Sequence, residues 1–159
     1  MCKARDVAMA MIKKSIILAK ENEDDRYLMD FVKLHKLMFL GQCYILYYYD
    51  IELFQESISA HSCGPYVDGI NFIPATYGFS EIKDSKNQDG YEPMFLPLSL
   101  TRGETVDIIL EKYGTLTTKE IVTKVKETYA YKVYEGNYES KPIISCEAMK
   151  TTGECLFGS

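Results

Sequence analysis

The chain has 159 residues, 47% hydrophobic and 26% charged, with 13 Tyr, 7 Phe and no Trp. That is enough apolar side chain for one globular domain spanning 1–159, and it excludes a disordered or low-complexity chain. A formal net charge of -5 and a pI near 5.1 oppose a protein whose task is neutralising phosphates over a long basic face, so nucleic acid is disfavoured as a partner.

From about Asp6 to Lys20, the residues Ala8, Met11, Ile12, Ile16 and Ala19 recur at steps of three and four and predict an amphipathic helix. Lys13 and Lys14 split its apolar stretch and no small-residue cleavage site follows, so an amphipathic helix is expected here rather than a signal peptide. The acidic run Glu21 to Asp25 predicts a solvated turn. Asp30 is placed to cap a second helix reaching Tyr49. That helix is apolar on most of its circumference, which requires other elements to surround it. Its greasiest run, Leu37 to Tyr49, is bounded by Lys36, His35 and Lys33. It is too short for the roughly 20 apolar residues of a membrane span, so no membrane is expected. Gly41 within it predicts a close crossing with another helix.

After Asp50 the period changes. Ile51 to Ala60 predicts a short extended arm, and Gly64-Pro65 predicts the start of a further helix with Pro65 at its first position and Tyr66, Val67, Ile70 and Ile73 on its buried side. Pro74 is expected to end or kink that helix. Asp89-Gly90 marks a turn, and Met94 to Leu96 predicts at most an edge strand between Pro93 and Pro97. Thr101 with Glu104, and Thr117 with Glu120, have capping-box spacing and predict two helices separated by Gly114 in a left-handed conformation. Ser145 is placed to cap a short helix through about Lys150, and the last residues are expected to be loosely held. The fold class expected is mainly α (α+β): a helical domain around a central buried helix, with a small antiparallel β element.

Chemistry-bearing patterns are sparse. The two histidines, His35 and His61, stand in no metal-ligand spacing, and no phosphate cradle occurs, so neither metal nor cofactor is expected. His35 is expected to make a polar side contact on the central helix. Five cysteines, at 2, 43, 63, 146 and 155, form no CxxC pair and predict a reduced cytoplasmic protein. His61 and Cys63 fall on one side of an extended arm, which leaves open a thiol enzyme at Cys63. The 101–129 helix pair, with Lys119, Lys124 and Lys126, leaves open a DNA-binding regulator.

One longer pattern runs through the centre of the chain. Leu34, Lys36, Leu37, Phe39 and Gln42, then Leu53, Phe54, Glu56 and Ala60, then Gly64-Pro65, resemble the Panacea domain, a family of SocA-like antitoxins and phage-associated proteins. Two positions depart from it: His61 stands where that family often has an aromatic such as Trp, and Tyr66 where it commonly has Val. The resemblance implies a non-enzymatic antitoxin that binds a protein toxin encoded nearby, by covering it or by acting as a proteolytic adaptor that delivers it to a Clp-type protease. On this basis Leu34, Leu37, Phe39, Gln42, Phe54, Gly64 and Pro65 are expected to be structural. Lys36, Glu56, Ser59, His61 and Tyr66 are the candidates for partner contact, with a Lys36–Glu56 internal ion pair as the blander alternative for those two.

Overall fold

The computed structural model, which describes residues 2–158, is mainly α with a small β element: 57% helix in seven α-helices, and one two-stranded antiparallel sheet, among the described residues. Its axis is α2 (Phe31–Tyr49). As expected, Asp30 caps it, accepting the Lys33 N–H at 2.8 Å. The other carboxylate oxygen accepts the Thr118 hydroxyl at 2.8 Å, which ties this helix start to that of α5 (Thr118–Lys126). Every residue from Lys33 to Cys43 is buried. The cover is supplied by α1 (Ala4–Asn22), α4 (Leu100–Tyr113), α5, α7 (Cys146–Phe157) and the sheet, as an all-round apolar helix requires. No helix among the described residues is long and apolar enough to cross a membrane.

Local capping chemistry sets several helix ends. Thr117 and Glu120 form a reciprocal capping box, with the Glu120 amide donating to Thr117 Oγ1 at 3.1 Å and the Thr117 amide to Glu120 Oε1 at 2.9 Å. Ser145 accepts the Ala148 amide at 3.1 Å, and the helix it opens runs to Phe157, well past Lys150. The tail through Phe157 is held rather than loose: Leu156 and Phe157 pack on the core, and Tyr48 donates its hydroxyl to the Phe157 carbonyl at 2.6 Å. α1 starts two residues earlier than its pattern suggests, because the Glu56 carboxylate accepts the Ala4 amide at 2.7 Å and anchors the helix N-terminus.

Other expectations are corrected by contacts distant in sequence. Gly64-Pro65 does not open a helix; it begins β2 (Gly64–Val67), paired antiparallel with β1 (Ile58–His61) in the register Ala60 to Pro65 and His61 to Gly64. Ser62 and Cys63 make the two-residue turn, and Gly64 takes up the reversal at a φ of 114. The outer edge of β1 is also occupied: Ala60 donates to the Pro142 carbonyl and Ile144 to that of Ile58, both at 2.8 Å. The next helix, α3 (Phe72–Tyr77), contains Pro74 in its first turn, where no amide donor is needed, so the proline neither ends nor kinks it.

α4 is capped by Ser99 and not by Thr101, because the Ser99 hydroxyl accepts the Arg102 amide at 3.4 Å; the Arg102 guanidinium also donates to the carbonyls of Glu52 at 2.7 Å and Leu53 at 3.1 Å. Gly114 has an ordinary right-handed φ of -61. Its lack of a side chain is required by room, because a Cβ there would run into the Leu110 carbonyl oxygen and lie 3.0 Å from the Tyr27 ring. Met94 to Leu96 form no strand, and Met94 is 89% exposed. The close approach at Gly41 is to Leu53 of the arm, with Met11 and Ile109 of α1 and α4 just behind it.

Candidate functional site

The resemblance residues form one physical unit at the junction of α2 and the hairpin. Gln42, buried on α2, uses both ends of its amide: Oε1 accepts the Leu53 amide at 2.6 Å and Nε2 donates to the Phe54 carbonyl at 3.3 Å. That fixes the arm, and leaving either buried group unpaired would cost about 1–3 kcal/mol. Six residues earlier in the chain, Lys36 donates its Nζ to the Pro65 carbonyl at 3.0 Å. The lysine stem passes beneath Gly64, where a Cβ would stand 2.9 Å from Lys36 Cε. Glycine is thus required at 64 twice over, for its φ and for this approach. Leu34, Leu37, Phe39 and Phe54 are buried in the core beside this unit.

Lys36 and Glu56 do not form the anticipated ion pair. The lysine is engaged by the Pro65 carbonyl and the carboxylate by the start of α1, so each polar group serves a different junction. Ser59 is 8% exposed in the middle of the hairpin, between Tyr66 on one side and Ile143 on the other. Neither Glu56 nor Ser59, although Ser59 pairs with Tyr66 across the hairpin, lines the cavity at which the other three candidates meet. Lys36, His61 and Tyr66 come together around a cavity of about 350 Å³ whose wall also includes Phe31, Val32, His35, Cys63 and, from the C-terminal third, Tyr138, Glu139 and Lys141.

This wall is aromatic. His61 stacks on Tyr66 at 4.7 Å between ring centroids, and Tyr66 stacks on His35 at 4.2 Å. Phe31 meets the His35 ring edge-on at 4.4 Å and continues to the 74% exposed Phe79 at 6.2 Å. Tyr66 is anchored at its far end by donating its hydroxyl to Asn71, and Tyr131 donates its own to the His61 carbonyl. Partly exposed, held aromatic surface beside an apolar hollow is the chemistry of a contact surface. A larger cavity of about 590 Å³, along the Ala75 to Asp89 loop, is walled by exposed loop residues including Lys83, Asp84 and Asp89.

His35 is more than the polar side contact its place in the sequence suggests. It is 2% exposed, and its Nδ1 accepts the Val67 amide at 2.8 Å, pinning β2 to α2. Burial, with Lys36 and His61 nearby, pushes its pKa down to about 3, so the ring is neutral at physiological pH. Burial likewise holds Lys36 down at about 8. His61, partly buried, is also shifted down, first by burial and then by the nearby Lys141 and Lys36.

His35, Phe31 and Val32 were not among the sequence candidates. Their signal is spacing: Phe31 with His35, and Val32 with Lys36, are neighbouring i, i+4 pairs on one helix face. Tyr138 and Lys141 carry no local signal, since they reach the cavity from the other end of the chain.

Cys63 is exposed in the turn itself, so the alternation of an extended strand does not apply to its position relative to His61. The five cysteines are free. Of the lysines on α5, Lys119 is exposed and Lys126 is partly buried, while Lys124 sits over the Tyr113 ring at 5.6 Å. Among the described residues no group of three His, Cys, Asp or Glu side chains is arranged to hold a metal. Compared with protein-family models, curated proteins and solved structures, the chain matches none.

Proposed function

We propose that this chain is a non-enzymatic, antitoxin-type binding protein of the Panacea kind, and that it engages a protein toxin through the hairpin and the cavity beside it. The observation that carries this reading is the convergence at one surface. The residues of the family-like pattern build the junction through Lys36, Gln42, Gly64 and Pro65. The two positions that depart from the pattern, His61 and Tyr66, form the partly exposed aromatic wall.

That division suits a binding module in which a common scaffold presents variable contact residues. Interface energy concentrates in aromatic anchors and the hollows they border, and Phe79, Tyr66 and His61 supply that kind of surface. Neutralisation works by covering the toxin or by presenting it to a Clp-type protease.

The test is co-expression with the adjacent gene. The neighbour is expected to arrest growth alone, and this chain to restore growth and co-purify with it. Toxin half-life in rescued cells separates the two modes, because delivery to a protease shortens it and simple covering does not. Absence of both toxicity and complex formation would remove the proposal.

A further inference from the structure

Two lysines of α2 are almost equally buried, Lys33 at 2% and Lys36 at 3% exposure, yet their ammonium groups are satisfied very differently. Lys33 donates to three carbonyls, those of Arg26 at 2.9 Å, Leu28 at 3.3 Å and Gly114 at 2.7 Å. An ammonium has three donors, so Lys33 is saturated and acts as an internal pin. Lys36 has one protein acceptor, the Pro65 carbonyl, and it takes part in no ion pair among the described residues.

The residue beside it has a matching deficit. His35 Nδ1 accepts the Val67 amide, so in the neutral ring the hydrogen sits on Nε2. That Nε2 is buried and has no partner. Adjacent residues thus bring spare donors to the wall of one cavity. Its one carboxylate, Glu139, is exposed and pairs with neither of them among the described residues. A buried donor without a partner destabilises the free protein, and a bound acceptor removes that cost.

We propose that this cavity is a binding site for a carboxylate carried on a small apolar or aromatic body. The carboxylate accepts from Lys36 Nζ and His35 Nε2, and the body lies against Tyr66 and Phe31. The wall carries Lys36 and Lys141 against Glu139, so one positive charge is left over and a single negative charge matches it. A phosphate dianion would leave one charge unmatched beside the Glu139 carboxylate. The carboxylate is supplied by an acidic side chain or C-terminus of a protein partner, or by a free organic acid. The first source rests on the toxin-binding reading, and the site itself does not.

Benzoate and its neutral isostere benzamide, titrated into the full chain and followed by amide NMR, test the site. Benzoate is expected to shift the Gly64, Tyr66 and Val67 amides saturably and to bind at least tenfold more tightly than benzamide. Lys36→Met, which keeps the stem beneath Gly64 and removes the ammonium, is expected to abolish that preference. Equal binding of the two probes, or no shift with either, overturns the proposal on the unaltered chain alone, whether or not the variant folds.

N-acetyl-Gly-Phe as the free acid and as the amide separates the sources. Preference for the free-acid peptide over benzoate supports a protein supplier. Benzoate binding without peptide binding keeps the site and removes the link to a toxin.

Discussion

Gly153→Ala is expected to lower stability by about 2 kcal/mol, although alanine is the better helix former by about 1 kcal/mol. Gly153 lies buried in α7, where a methyl group would run into the Cys43 carbonyl oxygen and stand 2.7 Å from Tyr47 Cβ. Both obstacles belong to α2, and the carbonyl is backbone, so it cannot rotate away. The helices must separate instead, loosening Tyr44 from Phe157 and the Tyr48 bond to the Phe157 carbonyl. Gly103→Ala supplies the opposite sign in the same experiment. Gly103 is helical in α4 with nothing within 4 Å of the position its Cβ would take, so propensity alone acts and stability rises by up to about 1 kcal/mol. Urea unfolding of both variants checks the pair. A Gly153→Ala midpoint at or above the parent's would mean that α2 and α7 do not meet this closely.

Acidification from pH 7 to pH 5 is expected to remove about 2 kcal/mol of stability through His35 alone. Its pKa is about 3 in the folded chain and near 6.5 when unfolded. Between those values the unfolded chain binds the proton and the native state does not. The contribution is therefore complete above about pH 6.5 and is lost progressively as pH falls toward 3. The physical cause is burial: protonation would place charge beside Lys36 and force Nδ1 to give up the Val67 amide. His35→Gln tests this, since the amide oxygen can accept the same N–H and carries no titrating group. Unfolding free energies measured from pH 7.5 to 5 should flatten markedly in the variant. A residual slope is expected from His61, whose pKa is also lowered. An unchanged slope would remove His35 as its source.

Much of the architecture is legible from local chemistry. Asp30, Thr117 with Glu120, and Ser145 cap the helices they were placed to cap, because a side-chain oxygen and an amide three residues on need nothing else. α2 is legible as the central element because a helix apolar on most of its circumference must be surrounded by other elements. What escapes is set by partners far along the chain. Pro65 is suited to a helix start by the rules of its neighbours, yet its carbonyl is claimed by a lysine 29 residues away and its strand is pinned by His35.

The close helix crossing illustrates the same limit. Small residues announce that something approaches, and Gly41 does so, but what approaches it is Leu53. The glycine that admits a helix backbone is Gly153, in a terminal stretch whose pattern is too mixed to single it out. For the site, the hairpin and its Gly-Pro step are legible as a place of interest. The cavity is not, because its wall combines α2, the hairpin turn and residues 138–141, and only the folded chain brings those together.

The most direct measurement of the central claim is a hydrogen-exchange footprint of the complex formed with the neighbouring gene's product. Protection is expected at 61–67 and at 138–143, with the exposed face of α5 around Lys119 unchanged. Protection confined to α5 or to the 75–89 loop, with the hairpin exchanging as freely as in the isolated chain, would contradict the assignment of the hairpin cavity as the partner-binding surface.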